Sequence, residues 1–187
     1  MKHFLKSKLT LMWALLICAV AQMNAQTWTW TGEAPAAGDF YIRSNVNDVF
    51  IKATSAVDAN PANATLFTLS AATNCTIAYQ DNGTKYVYES AGNQSWGTTN
   101  TNKWTIANQN NNNQYYISQT DPGYSRGTRT RYIQVSASAI NYPYQGFTGS
   151  NRLLMFISPA QMTAYNNYIA AWNALSPVLA RSLFHSI

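Results

Sequence analysis

Phe40-Tyr41-Ile42-Arg43, Cys75-Thr76-Ile77-Ala78 and Tyr115-Tyr116-Ile117-Ser118 are three short runs of aromatic and β-branched residues. Each is followed, across a polar turn, by a second run: Val49-Phe50-Ile51-Lys52-Ala53, Lys85-Tyr86-Val87-Tyr88-Glu89 and Arg131-Tyr132-Ile133-Gln134-Val135. Each set then closes on a third: Leu66-Phe67-Thr68-Leu69, Lys103-Trp104-Thr105-Ile106 and Leu154-Met155-Phe156-Ile157. One three-part phrase therefore recurs three times, at a spacing of roughly 35 to 50 residues, which is the signature of a repeated supersecondary unit. Alternation bounded by Asn, Gly, Asp and Pro clusters predicts strands and turns from Asp39 to Ile157, and no part of that region sustains a helical period.

A period of this length also suits propeller blades or solenoid arrays, but three copies are few for a closed propeller and no helices alternate with the strands. Three four-strand units closing on a pseudo-threefold axis fit the length best, so the expected fold is all-β, a β-trefoil of three pseudo-repeats. The phrases resemble those of ricin-type lectin trefoils, whose repeats open on a Y-Y-I-like strand and close on a Q-x-W motif. The resemblance spans Asp39 to Ile157 and implies a carbohydrate-binding module. Its motifs are altered here: the Q-x-W position reads Asn102-Lys103-Trp104, Thr65-Leu66-Phe67 and Leu153-Leu154-Met155. Where the family carries a sugar-holding aspartate after the second strand's apolar residue, this chain has Lys52, Tyr88 and Gln134. The closing residues Phe67, Trp104 and Met155 are expected in the barrel core whatever the loops bind.

The N-terminus has the pattern of a secretory signal. Lys2, Lys6 and Lys8 precede an apolar run from Leu9 to Val20, and small residues follow. Roughly a dozen apolar residues fall short of the ~20 that a membrane-crossing helix needs, so no permanent membrane anchor is expected. Cleavage is expected near Ala21, after Ala19-Val20-Ala21, or after Ala25, and bulky Ile17 before Cys18 argues against lipidation. The domain plan is a signal over 1–25, the barrel over 26–157 and a helical appendage over 158–187. The product is expected outside the cytoplasm, secreted or retained at the cell surface or in the periplasm.

Processing changes the charge. Without Lys2, Lys6 and Lys8, the 12 basic residues fall to nine against seven acidic ones, a net charge near +2. A nucleic-acid role loses its support, because such binding rests on many Lys and Arg neutralising phosphates. Cys75 is the one cysteine left, so no intramolecular disulfide is possible and a buried, inert thiol is expected.

No catalytic constellation stands out, and the expectation is a protein that is not an enzyme and needs no cofactor or metal. His185 is the one histidine outside the signal, and the Cys and His cluster that zinc requires is missing. Paired carboxylates for a hydrolase remain open among Glu33, Asp39, Asp48, Asp58, Asp81, Glu89 and Asp121. Asp48, Asp81 and Asp121 adjoin Asn, Gly or Pro and are expected to form turns. Arg126, Arg129 and Arg131 follow Asp121-Pro122-Gly123 in what reads as a long solvated loop, with a grip on an acidic sugar or phosphate as the sharper alternative.

Loop aromatics are the best functional lead, since planar rings stack on sugar faces while amides bond the ring oxygens. The candidates are Trp96 with Asn93 and Gln94, Tyr124, and Tyr142, Tyr144 and Phe147 with Gln145 in the segment from Asn141 to Phe147. The competing role for each ring is to cap the barrel. Trp28 and Trp30 suit a first strand or a tether. After the barrel, Ser158-Pro159-Ala160-Gln161 reads as a helix start with a capping box, Met162, Tyr165, Ile169 and Trp172 share a face, and Ser176-Pro177 is expected to end the helix, with the start of a short last helix as a further option. That segment is expected to cover the barrel, with a docking segment for a protein partner or the start of a further domain as the alternatives. The ligand expected of the whole is a glycan or cell-surface polysaccharide.

Overall fold

The computed structural model describes residues 28–53, 56–72, 74–90, 93–100, 103–109, 113–121, 129–141 and 150–184, with 89, 90, 93, 94, 121, 129, 150 and 176–184 described by backbone alone. The signal read over 1–25 lies outside these residues. The chain divides into two units, Met1–Trp30 and Thr31–Ile187. Within the first, the Trp28 and Trp30 rings meet edge to face at 5.8 Å.

The second unit is mostly strand, with one long C-terminal helix. Its strands are β1 (Gly38–Ser44), β2 (Val49–Lys52), β3 (Ala56–Asp58), β4 (Leu66–Leu69), β5 (Ile77–Gln80), β6 (Thr84–Ser90) and β7 (Asn93–Gly97). They continue with β8 (Thr105–Asn108), β9 (Tyr115–Asp121), β10 (Arg129–Tyr132), β11 (Gln134–Val135), β12 (Ile140–Asn141) and β13 (Leu154–Ile157), and the helix α1 is Pro159–Phe184.

The pairing path returns to its start. Antiparallel ladders join β1 to β4, β4 to β5, β8 to β9, β9 to β13 and β13 to β1. The remaining step, from the second opening run to the second closing run, is a bridge between Cys75 and Trp104. Hairpins hang from this ring: β2 pairs with β1 and β3, β6 with β5 and β7, β10 with β9, and β11 with β12.

Register shows why these residues and not their neighbours face inward. Within the three phrases the paired residues are Phe40 with Phe67, Cys75 with Trp104 and Tyr115 with Leu154. Between phrases they are Leu69 with Ile77, Ile106 with Ile117 and Phe156 with Ile42. All twelve are buried in one apolar cluster. Strand side chains alternate between faces, so a single register places all six pairs inside. The third phrase corrects the sequence reading, because Leu154, not Met155, takes the position of Phe67 and Trp104. Met155 is buried on the opposite face of β13, where the Glu33 N–H donates to the Phe156 carbonyl at 2.8 Å and Gly32 lies close by. Burial on both faces hid the alternation that would have fixed the register.

The turns use residues that tolerate the left-handed region. Asp48 in the β1–β2 turn has φ +56°, and Asn82 and Gly83 in the β5–β6 turn have φ +48° and +105°. Asp48 and Asp81 sit in turns as expected, whereas Asp121 is the last residue of β9, paired with Arg129. Arg131 is a correction of the same kind. It lies on β10 and is buried, not in a solvated loop.

Helix α1 starts at Pro159 as expected, with the Gln161 N–H donating to Ser158 Oγ at 3.4 Å, but the Gln161 side chain, expected to complete a capping box with Ser158, bonds Thr31 and Glu33 instead. It does not end at Ser176-Pro177 but continues to Phe184. A proline inside a helix removes one hydrogen bond and clashes with the preceding turn, at about 3 kcal/mol. The Ala-rich turns before it propagate the helix past that break. Among the described residues no helix is long and apolar enough to cross a membrane, and Cys75 is a free thiol.

Candidate functional site

Trp96 lies on β7, opposite Val87, at the end of the sheet path. Its indole is half-buried against the core, 5.6 Å from the Tyr79 ring and 6.1 Å from Phe67. The polar neighbours that suggested a loop belong to an edge strand, whose alternation turns this ring inward. Tyr79 beneath it is buried, and burial, with Asp81 and Tyr88 adding to it, pushes its phenol pKa up. Asn93 and Gln94 open the same strand, paired through the backbone with Ser90 and Glu89. Tyr124, Tyr142, Tyr144 and Gln145, together with Arg126 and Phe147, lie outside the described residues.

Four of the acidic residues have local partners. Glu33 accepts from Ser158 Oγ and from Gln161 Nε2, the latter at 3.1 Å, and Gln161 also exchanges hydrogen bonds with the Thr31 backbone. This polar clamp fastens the segment before β1 to the first turn of α1, where Met162 is buried. Asp39 accepts from Thr68 Oγ1 at 2.6 Å. Asp58 accepts from the Asn60 N–H at 2.8 Å and from Asn63 Nδ2 at 2.9 Å, with the Lys52 ammonium at 3.6 Å. The Asn60 N–H foremost, then Asn63 and Lys52, hold its carboxyl below the ordinary value. Asp48 pairs with Arg43. Among the described residues no three His, Cys, Asp or Glu gather into a metal-binding group. Burial pushes the Cys75 thiol up to about 11, which keeps it protonated near neutrality.

Two arginine–aromatic arrangements escaped the sequence reading. In the first phrase Arg43, on β1, lies 5.8 Å from the centre of the Phe50 ring. Arg43 is buried, ion-paired to Asp48, and donates from Nη1 to Asn45 Oδ1 at 2.7 Å. In the third phrase the pair that corresponds to Arg43 and Phe50 is Ser118 and Tyr132. There the guanidinium comes from elsewhere: Arg152, in the short 3-10 turn Ser150–Arg152, lies 4.6 Å from the Tyr132 ring centre and 5.5 Å from that of Tyr116. The two tyrosine rings meet edge to face at 5.6 Å. Strand alternation alone could have put Tyr116 and Tyr132 on one face. Nothing local marked Arg152, because its partners lie 20 and 36 residues away in the chain.

The turn that carries Arg152 is held from the first phrase. Asn47 Nδ2 donates to the Val135 carbonyl at 2.6 Å and approaches Asn151 Oδ1 at 3.3 Å. The β1–β2 turn, β11 and the 3-10 turn thus form one polar-linked neighbourhood. The chain matches no protein-family model, no curated protein and no solved structure.

Proposed function

We propose that the chain is exported, loses residues 1–25, and acts as a non-catalytic carbohydrate-binding module of β-trefoil architecture. The observation that carries the architecture is the repeated register, in which three pairs within phrases and three between them follow one rule. A ring of six pairing positions with a hairpin on each phrase is what a trefoil requires. The resemblance to ricin-type lectins and the Asn-, Gln- and Tyr-rich loops support a glycan or cell-surface polysaccharide as ligand, an argument by analogy from fold to site. Tyr124, Tyr142, Tyr144 and Gln145 are the platform and hydrogen-bonding residues of this reading, with Asn93 and Gln94 on β7. Trp96 contributes an edge buttressed by Tyr79 and Phe67.

A glycan array probed with the purified protein tests the reading. Binding to a defined glycan class that weakens about tenfold or more in Tyr142→Ala or Tyr144→Ala supports it. Absence of binding to every glycan, or binding untouched by both changes, counts against it.

A protein-binding module is the second reading, favoured by one feature: α1 runs for 26 residues and Leu175 is 55% exposed. Deletion of 163–187 separates the readings, because it spares Ser158, Gln161 and Met162. If partner capture is lost while glycan binding persists, the helix is the docking element. A hydrolase is the third reading, and turnover of a bound glycan on prolonged incubation would establish it.

A further inference from the structure

Arg152 carries a positive charge into a place where the described residues supply no counter-charge. It is only 8% exposed, and its Nε is sealed from water without a hydrogen-bond partner among the described residues. Among the described residues it meets two ring faces, those of Tyr132 and Tyr116. Ring faces attract a cation, but they accept none of its directional N–H bonds and offset only part of the cost of taking it out of water.

The same protein contains a counterpart, Arg43, whose Nε likewise lacks a partner among the described residues but whose Nη atoms have acceptors. Arg43 rests beside Phe50 at the corresponding place in the first phrase, and there Asp48 and Asn45 supply the oxygen acceptors. Both guanidinium groups lie against an aromatic side chain of the second run, and both are buried. They differ in the acceptor. One arginine has its carboxylate built in, and the other, among the described residues, meets only aromatic partners.

We propose that Arg152, framed by Tyr116 and Tyr132, is the anion-recognising element of this protein and takes the oxyanion of an acidic saccharide, a uronate carboxylate or a sulfate ester. The saccharide part rests on the carbohydrate-binding reading, whereas the anion site rests on Arg152 alone. A planar guanidinium held against aromatic rings presents its N–H edge in a fixed orientation, which suits two oxygens of one carboxylate or sulfate. Two half-buried tyrosines beside it give a sugar ring an aromatic surface next to its charge. A net charge near +2 after signal removal is too small to gather polyanions without such a local site.

The experiment uses the purified protein with Arg152→Lys and Arg152→Met, each checked for a cooperative thermal transition. Calorimetric titration compares a neutral oligosaccharide, a uronic-acid oligosaccharide and a sulfated one. Inorganic sulfate against chloride at equal ionic strength is followed by the unfolding midpoint. The expected result is that one acidic oligosaccharide binds and the neutral one does not. Arg152→Lys, which keeps the charge but loses the planar fork, should weaken that binding by roughly tenfold or more. Sulfate should raise the midpoint of the parent more than that of Arg152→Met. If Arg152→Met does not fold, Arg152→Lys decides the matter.

Equal binding of acidic and neutral oligosaccharides, or undiminished acidic binding in folded Arg152→Lys, overturns the proposal and leaves the carbohydrate reading intact. A sulfate effect that requires Arg152, with no glycan bound, upholds the anion site and overturns its saccharide assignment together with the carbohydrate reading. No Arg152-dependent response to any of these anions overturns the site itself.

Discussion

Cys75 and Trp104 exchange two backbone hydrogen bonds, N–H of Cys75 to the Trp104 carbonyl at 2.9 Å and N–H of Trp104 to the Cys75 carbonyl at 2.7 Å. This bridge closes the pairing ring where the second phrase has no longer ladder, and both side chains are fully buried. The Trp104 indole N–H also donates to the Val87 carbonyl at 2.8 Å, which ties the closing position to the hairpin strand β6. Trp104→Phe should destabilise the protein by about 2–4 kcal/mol, combining a small cavity in the core with the lost indole hydrogen bond to Val87. Urea unfolding monitored by circular dichroism measures it, and a shift below half a kcal/mol would mean that neither the packing of the indole nor its hydrogen bond to Val87 contributes to stability.

Cys75 gives a pH signature. Folding raises its thiol pKa from the ordinary 9.0 to about 11, so the folded state holds a proton that the unfolded chain releases in that interval. The associated stabilisation is complete below pH 9.0 and is lost as pH rises towards about 11. The loss is on the order of 1–3 kcal/mol. Other groups titrate in the same range, so the measurement compares slopes: stability of the parent should fall more steeply between pH 9 and 11 than that of Cys75→Ala. Parallel curves would contradict the prediction. At pH 8 the thiol should resist alkylation until denaturant is added.

Asp48 serves two purposes that substitutions can separate. Its backbone holds a left-handed conformation that Asn accepts and Ala resists, and its carboxylate neutralises buried Arg43. Burial already lowers the Arg43 pKa, so the cation depends on its partners. Asp48→Asn should cost about 1–2 kcal/mol, discounted because the carboxylate itself is mostly exposed, and Asp48→Ala about 1 kcal/mol more. Thermal midpoints at low and high salt are the check: the Asn variant's deficit should shrink in concentrated salt, and a deficit indifferent to salt would point to turn geometry alone.

Gly32 is required by close approach and not by its dihedral angles. A Cβ there would lie 2.4 Å from the Asn113 carbonyl oxygen and 3.3 Å from Met155 Cε. Because the nearest obstacle is backbone, Gly32→Ala should cost about 1–3 kcal/mol and loosen the segment that covers β13. Hydrogen exchange at the Glu33 amide, bonded to the Phe156 carbonyl, reports that loosening directly. Unchanged protection would show that the segment shifts without penalty.

The sequence alone determined that the region is built of short strands and turns in a recurring phrase, and where the helix starts, because each follows from local chemistry, while β7 and the start of β10 read as loop. Alternation separates inside from outside, Asp and Asn take the left-handed turns, and Ser158-Pro159 opens α1. Of the closing residues expected in the core, Phe67 and Trp104 lie there, whereas the pairing of opening with closing runs came only from the structure. Tertiary structure decided what depends on neighbours distant in sequence. Leu154 displaced Met155 from the core position because the segment before β1 covers the other face of β13, and a one-residue slip exchanges the faces of a strand. Trp96 turned towards Tyr79 and Phe67 because its polar surroundings form an edge strand. Arg152 met Tyr116 and Tyr132 because the closed pairing path gathers three separate segments at one place, and charge–aromatic contacts of that range leave no periodic trace in the chain.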